Sequence, residues 1–82
     1  MSVKVLYFAS LKEALGKTGE TLELPAGVGT VGGLRDWLAG QGREGLASVR
    51  NLRCAVNQDM AGPDAAVGDG DEIAFFPPVT GG

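Results

Sequence analysis

The sequence predicts an α+β domain in which a helix packs on one face of a mixed β-sheet. Two observations carry this prediction. Short segments rich in β-branched and aromatic residues, bounded by turn residues, flank a single segment with apolar residues at helical spacing, in the order β, β, α, β, β. The length of 82 residues is that of one small domain. A large active-site cleft is therefore not expected.

The first predicted strand covers residues 3–10, VKVLYFAS. Apolar side chains occupy both alternating sets of positions, which favours a central strand covered on both sides. One set is Val3, Val5 and Tyr7, and the other is Leu6 and Phe8.

A short helix and a second strand are predicted next. Ser10 and Glu13 have the spacing of a capping box, so a helix is expected over residues 11–15, with Gly16 ending it in the left-handed conformation. Residues 20–25 then alternate polar and apolar positions, with Leu22 and Leu24 inward, as in a strand with one buried face.

The main helix is predicted to begin after Thr30, which is suited to capping its N-terminus. An apolar stripe faces the sheet, and Gly40 and Gly42 end the helix. The stripe consists of Val31, Leu34, Trp37 and Leu38. Residues 42–51 are interpreted as a loop or a short helical turn that holds Leu46 and Val49 inward.

Three further elements complete the predicted sheet. Residues 52–58 form a strand with either Leu52, Cys54 and Val56 or the opposite set inward, and a tight reversal then leads to a brief strand around Met60. Residues 72–76, EIAFF, form the last strand. Its alternation places Ile73 and Phe75 on one face, and Ala74 and Phe76 on the other.

The composition excludes several classes of function. With one cysteine and no histidine, the chain cannot build a disulfide framework, a Cys/His zinc site or a Ser-His-Asp triad. Its net charge is −3 and its basic residues are scattered, so nucleic acid is not an expected partner. The opening residues, MSVKVLYFAS, lack the cationic start and cleavage site of a signal peptide, and no apolar run approaches the roughly 20 residues that span a membrane, so neither feature is expected. A cytoplasmic location is expected.

Four motifs could indicate a binding or catalytic site, but each is better explained by a structural role. GVGTVG (27–32) matches a dinucleotide fingerprint but is interpreted as a turn into the helix, because so short a chain has no second half to hold a dinucleotide. GKT (16–18) lacks the leading glycine of a P-loop. Cys54 is expected to be a small buried apolar residue. The acidic group lacks calcium-loop spacing and is expected to form turns; it comprises Asp64, Asp69, Asp71 and Glu72.

The C-terminal segment, residues 77–82, is predicted to be an extended tail on a domain of residues 1–76. Pro77 and Pro78 favour extended geometry, and the tail reaches at most about 20 Å. Gly81 and Gly82 present no side chain to a narrow tunnel in a partner. A terminal carboxylate on such an arm is suited to activation as an acyl adenylate and attack by a nucleophile.

Several stretches together resemble a known family. VKVLYFAS and LKEALG near the start, AVNQ in the middle and GDEIAFFPPVTGG at the end are similar to the small subunits of molybdopterin synthase, which are ubiquitin-like β-grasp sulfur carriers. The resemblance covers essentially the whole chain and is most specific in the last dozen residues. It implies a β-grasp fold and a non-catalytic sulfur-donor subunit with no activity on its own.

The resemblance also implies a reaction cycle and partners. A ubiquitin-activating-like adenylyltransferase would use ATP to adenylate the Gly82 carboxylate, and sulfur would replace AMP to give a thiocarboxylate. The tail would then enter the large synthase subunit, where two such donations to cyclic pyranopterin monophosphate build the dithiolene of molybdopterin. Two small subunits would flank a dimer of large ones. No cofactor is expected to be bound to the chain itself.

The same resemblance implies the site residues. Gly82 and Gly81 would carry the chemistry. Phe76, exposed beside the tail root, and Met60 would dock the partners. The partner-binding residues would be Met60, Phe76, Pro77, Pro78, Val79 and Thr80.

Three other functions stay open at this point. A carrier of the same fold could serve thiamin thiazole synthesis, although such carriers are typically shorter and the FFPPV lead-in favours molybdopterin. A protein modifier would join Gly82 to lysines of target proteins. A β-grasp interaction module with an inert tail is the simplest alternative.

Overall fold

The structure is a computed structural model that describes residues 1–48 and 51–78. Five strands and three helices follow one another along these residues. In chain order they are β1 (Ser2–Tyr7), α1 (Ser10–Leu15), β2 (Gly19–Glu23), α2 (Val31–Gly40), α3 (Gly45–Ser48), β3 (Arg53–Val56), β4 (Asp59–Ala61) and β5 (Glu72–Phe76).

The strands form one mixed sheet in the order β2-β1-β5-β3-β4. The pairing of β1 with β5 is parallel and the other three pairings are antiparallel. The predicted α+β architecture, a mixed sheet with a helix on one face, is therefore confirmed. The last strand lies in the middle of the sheet, so the chain leaves the domain from between β1 and β3.

The core lies between one face of the sheet and α2. Buried side chains of β1 and β5 meet buried side chains of α2 and Leu46 of α3. The predicted stripe is confirmed, with Trp37 half-buried at its margin. The largest fully buried side chains are Tyr7, Phe75, Leu11, Leu34, Leu38, Leu46, Ile73, Val3, Val5 and Val31. The expectation that Val49 points inward falls outside the described residues.

Two local predictions for the start of the chain are wrong. The first strand is not covered on both sides, because the helices pack on one face alone and Phe8 is 48% exposed on the other. The capping box does not form either. Ser10 is the first residue of α1, the N-cap is Ala9 without a side-chain cap bond, and the backbone oxygen of Ala9 accepts the N–H of Glu13.

Other caps and turns agree with the sequence. Gly16 ends α1 in the left-handed region, and its N–H donates to the oxygen of Lys12 at 3.0 Å. The Thr30 side chain accepts the N–H of Gly33 at 3.1 Å. The reversal between β3 and β4 uses positive φ at both Asn57 and Gln58, as the type I′ form of a two-residue hairpin requires. The predicted end of α1 at Gly16, the predicted start of α2 after Thr30 and this hairpin are therefore confirmed.

A three-residue polar cluster ties the helical side of the domain to the sheet. The Tyr7 hydroxyl donates to Glu20 Oε2 at 2.5 Å, and Arg43 Nε donates to the same oxygen at 3.0 Å. A second Arg43 nitrogen binds the other carboxylate oxygen, giving a bidentate pair. The cluster fixes the loop before α3 against β1 and β2. The sequence did not predict it.

Candidate functional site

The root of the tail lies at the end of β5, in the middle of the sheet. The N–H of Phe8 donates to the oxygen of Phe75 at 3.2 Å, which continues the parallel pairing to the end of the strand. Pro77 and Pro78 follow as half-buried residues. Because proline has no N–H, neither residue can donate to a neighbouring strand. The chain is thus released from the sheet after Phe76.

The reactive end of the predicted tail lies beyond the described part of the chain. Val79, Thr80, Gly81 and Gly82 fall outside the described residues. Their roles, and the division of the chain at residue 77, stay predictions. The described residues include the tail root, Pro77 and Pro78, and the domain that surrounds it.

The face of the sheet opposite the core, here called the open face, carries an apolar patch beside the tail root. Cross-strand partners project to the same face of a sheet. The register pairs Leu6 with Ala74, Ala74 with Ala55 and Ala55 with Met60, which gives one apolar row across four strands. The patch consists of Leu6, Phe8, Ala55, Met60, Ala74 and Phe76.

The two predicted docking residues lie on this open face but not side by side. Met60 is 61% exposed on the edge strand β4. Phe76 on β5 is half-buried, whereas the sequence predicted that it is exposed. It is therefore less accessible than predicted. One strand, β3, lies between them, which corresponds to a lateral separation of about 10 Å. They belong to one broad surface, with Ala55 between the strands that carry them.

Phe8 and Leu6 are members of this surface that the sequence prediction missed. The alternation along β1 had placed both of them opposite the buried set of Val3, Val5 and Tyr7. That signal was present, but it was interpreted as a second buried face. The apolar patch beside the tail root therefore contains more side chains of the domain than Met60 and Phe76, the two that were predicted to dock partners.

Cys54 does not form a reactive centre. Its side chain is buried, with 5% of the residue exposed, and its Sγ donates to the oxygen of Ala61 at 3.0 Å. Burial raises the pKa of the Cys54 thiol, which disfavours the nucleophilic thiolate. The structural interpretation of Cys54 is confirmed.

The acidic residues before β5 serve a loop and do not assemble a metal site. The Asp71 carboxylate accepts the N–H of Gly68 at 2.8 Å and the side-chain amide of Asn57 at 3.0 Å, and these bonds, the Asn57 bond foremost, lower the pKa of Asp71. Asp69 accepts the N–H of Ser2 at 2.8 Å. Within residues 1–48 and 51–78, no group of three potential ligands could hold a metal ion.

Over the same described ranges, none of the helices combines the length and the apolar character needed to cross a membrane.

Comparison with known proteins gives matches over nearly the whole chain. The family model described as "ThiS family" matches residues 5–82. A relative from Escherichia coli (strain K12), named "Molybdopterin synthase sulfur carrier subunit", is 42% identical over 82 residues, covering 98% of this chain and 99% of that protein. The same name belongs to a Mycobacterium tuberculosis relative that is 39% identical over the full chain and 99% of that protein.

Solved structures confirm the fold. SAMP1 from Haloferax volcanii, a small archaeal modifier protein, superposes with a TM-score of 0.81 at 31% identity, with 100% of both chains covered. The resemblance to ubiquitin-like β-grasp proteins is thereby confirmed. The match of the family model runs from β1 to the final glycine, and the relatives match at nearly full length. This chain belongs to the ThiS family.

Proposed function

We propose that this protein is the sulfur-carrier subunit of a molybdopterin synthase, and that the carboxyl group of Gly82 is its reactive group. The observation that carries the proposal is the full-length similarity to sulfur carrier subunits, which extends through the Gly-Gly end. The domain is consistent with it, because its one thiol, Cys54, is buried with a raised pKa and no group of residues within 1–48 and 51–78 could hold a metal ion. A terminal carboxylate on an arm can react without a thiol or a metal site in the domain.

The chemistry of loading proceeds in two steps on Gly82. The carboxylate oxygen attacks the α-phosphorus of ATP, pyrophosphate leaves, and an acyl adenylate forms. A sulfur nucleophile at the oxidation level of sulfide then attacks the carbonyl carbon, AMP departs with the electrons of the broken C–O bond, and loss of the proton on sulfur leaves the thiocarboxylate. The thiocarboxylate that results would donate sulfur to cyclic pyranopterin monophosphate in the large subunit. The ATP belongs to the activating enzyme, a ubiquitin-activating-like adenylyltransferase, and not to this chain.

The proposed partners would dock on the open face around the tail root. A large subunit that takes in the tail must also contact the surface from which the tail emerges, and that surface is the apolar patch. Exposed Phe8 and Met60 and half-buried Phe76 would be covered in the complex. By analogy with the family, two copies of this chain would flank a dimer of large subunits.

The experiment that tests the function is the intact mass of the protein from its own cells, with the C-terminal peptide sequenced by fragmentation. A mass increase on Gly82 equal to the replacement of one oxygen by sulfur is expected. The same change is expected after incubation of unmodified protein with ATP, a sulfur donor and the activating enzyme. A Gly82 that stays unmodified in both samples would contradict the proposal.

A protein modifier is the second candidate function, and the similarity to a small archaeal modifier protein favours it. Both functions share the adenylated Gly82, and they differ in what attacks it next. A modifier would give a ladder of covalent conjugates in denatured cell extract probed for this chain. A carrier would give a single thiolated band.

Replacing Phe76 by alanine is expected to weaken binding of the large subunit about tenfold or more, because an apolar side chain beside the tail root is lost from the interface. Isothermal titration calorimetry measures the effect. Leu24→Ala is the matched control, since Leu24 is also half-buried but packs against the core. Equal affinities of Phe76→Ala and the unaltered chain would exclude Phe76 from the docking surface.

A further inference from the structure

A groove of about 410 Å³ begins at the tail root and runs beside the outer edge of β3. Its lining combines residues of β3, the edge strand β4 and the tail root. The lining residues include Leu52, Arg53, Cys54, Met60, Ala61 and Pro78. The groove is open to solvent at one end of the sheet, next to the patch described above.

The backbone along this groove has an unfilled strand position. β4 pairs with β3 through Cys54 and Ala61 and ends there. The chain then turns toward the helix, and the oxygen of Pro63 accepts the N–H of Gly32 at 2.8 Å. Leu52, just before β3, therefore lies past the end of β4, with no strand among the described residues on that side.

The register identifies which peptide groups are left free. The N–H of Asn57 donates to Glu72 on the β5 side, at 2.8 Å. Peptide groups of alternate residues in an antiparallel ladder point to opposite sides, so those of Arg53 point to β5 and those of Leu52 point to the unfilled side. Among the described residues, the N–H and C=O of Leu52 have no backbone partner.

The groove also carries one positive charge that has no ion pair within the described residues. Of the described residues that line it, Arg53 alone is charged, and Arg53 is exposed with neither an ion pair nor a hydrogen bond to the described part of the chain. The chain as a whole is acidic, with a net charge of −3. Met60 adds an exposed apolar wall to the same groove. A complementary ligand is therefore extended, anionic and partly apolar.

We propose that this groove receives an extended acidic segment of the large subunit that takes in the tail. The segment adds as a short strand beside Leu52, with its peptide groups bonded to those of Leu52. A carboxylate side chain opposite Arg53 projects to the open face and pairs with the guanidinium group. An apolar side chain of the segment packs on Met60. The proposal rests on the proposed function, because that function requires a partner at the tail root.

Charge reversal tests the ion pair. The large subunit from the same organism is titrated with the unaltered chain, with Arg53→Glu and with Lys4→Glu. Lys4 has the same charge and projects to the same face at the far end of the sheet, where its register partner is Glu72. Arg53→Glu is expected to weaken binding about tenfold or more, with a smaller loss at high salt. Lys4→Glu is expected to stay within about twofold.

Amide hydrogen exchange tests the added strand independently. The N–H of Leu52 is expected to become protected when the large subunit binds, both in the unaltered chain and in Lys4→Glu. Unfolding of Arg53→Glu should match that of the unaltered chain, because Arg53 has no described contact to lose. Unchanged affinity of Arg53→Glu, or an unprotected Leu52 amide in the complex, would overturn the inference.

The outcomes separate this inference from the proposed function. If the unaltered chain binds and Arg53→Glu binds equally well, the groove is not the contact and the sulfur-carrier function still stands. If the unaltered chain does not bind the large subunit at all, both are overturned. Thiocarboxylate formation on Gly82 measures the activating step alone, without the large subunit. The Arg53→Glu variant is expected to form the thiocarboxylate like the unaltered chain.

Discussion

Deleting Gly82 is expected to abolish sulfur transfer while leaving the thermal unfolding temperature unchanged. The truncated chain still ends in a glycine carboxylate, but its arm is shorter by about 3.5 Å. A displacement of that size removes the reacting carbon from the geometry of both partner sites, and a misplacement of about 1 Å can already cost about 100-fold in rate. The domain keeps its described contacts, so its stability has no reason to change.

Two readouts follow the deletion. Thiocarboxylate formation is measured by intact mass after incubation with ATP, a sulfur donor and the activating enzyme, and unfolding is measured by calorimetry. A chain extended past Gly82 should fail equally, because its carboxylate is displaced in the other direction. Gly82→Ala is the matched control of equal length, and it should retain part of the rate. Full transfer by the truncated chain would remove Gly82 from the mechanism.

Replacing Glu20 by glutamine is expected to lower the free energy of unfolding by about 2–3 kcal/mol at neutral pH. The Glu20 side chain is 16% exposed and holds Tyr7 and Arg43 together. Its hydrogen bonds, that from Arg43 foremost, lower the pKa of Glu20 from 4.5 to about 2. That difference corresponds to about 3 kcal/mol of stabilisation as an upper bound. The uncharged glutamine amide can keep at most part of this stabilisation, because it lacks the negative charge that binds Arg43.

The same cluster predicts how stability depends on pH. Folding lowers the pKa of Glu20, so its contribution is complete above about pH 4.5 and is lost as pH falls toward 2. Folding raises the pKa of Tyr7 above its ordinary value of 10, chiefly through burial of the phenol. Stability is therefore also lost as pH rises beyond about 10, where the unfolded phenol ionises. Burial likewise raises the pKa of the Cys54 thiol above its ordinary value of 9.0, so the alkaline loss begins near pH 9. A plateau of stability between about pH 4.5 and pH 9 is expected in urea titrations.

Glu23→Gln is the matched control for Glu20→Gln. It lies on the same strand, but its side chain is 81% exposed and pairs with the terminal amine alone. Such an exposed pair contributes little, so the control should unfold like the unaltered chain. Glu20→Gln should also flatten the acid limb between pH 5 and 2. Equal stabilities of the two variants at neutral pH would show that the cluster does not stabilise the fold.

The order of elements and the core were predictable because they depend on local patterns. The alternation in EIAFF fixed which residues of β5 face the core, and the helical spacing from Val31 to Leu38 did the same for α2. The face of the third strand was left open in the sequence. Pairing of Cys54 with buried Phe75 decides it. Sequence patterns thus specified each element, and the register specified how the elements face one another.

The remaining features depend on contacts between distant residues. Glu20 and Arg43 are 23 residues apart, and no local spacing connects them with Tyr7. The groove beside Leu52 exists because β4 is short and Pro63 is drawn to α2, which no pattern within residues 52–58 indicates. Phe8 was predicted to be buried because β1 has apolar residues on both faces, which was interpreted as a strand with packed elements on both sides of the sheet. The described helices pack on one face of the sheet and leave the other face uncovered.

The parallel pairing of β1 with β5 determines how the domain responds to a pull on its tail. A partner that holds the tail while the domain separates applies force along β5. The hydrogen bonds to β1 and β3 run across that direction, so they are loaded in shear and share the force along the whole strand. Peeling them one at a time would need force across the sheet. We therefore expect β5 to stay in the sheet when a partner pulls on the tail, as the proposed cycles of loading and release would require.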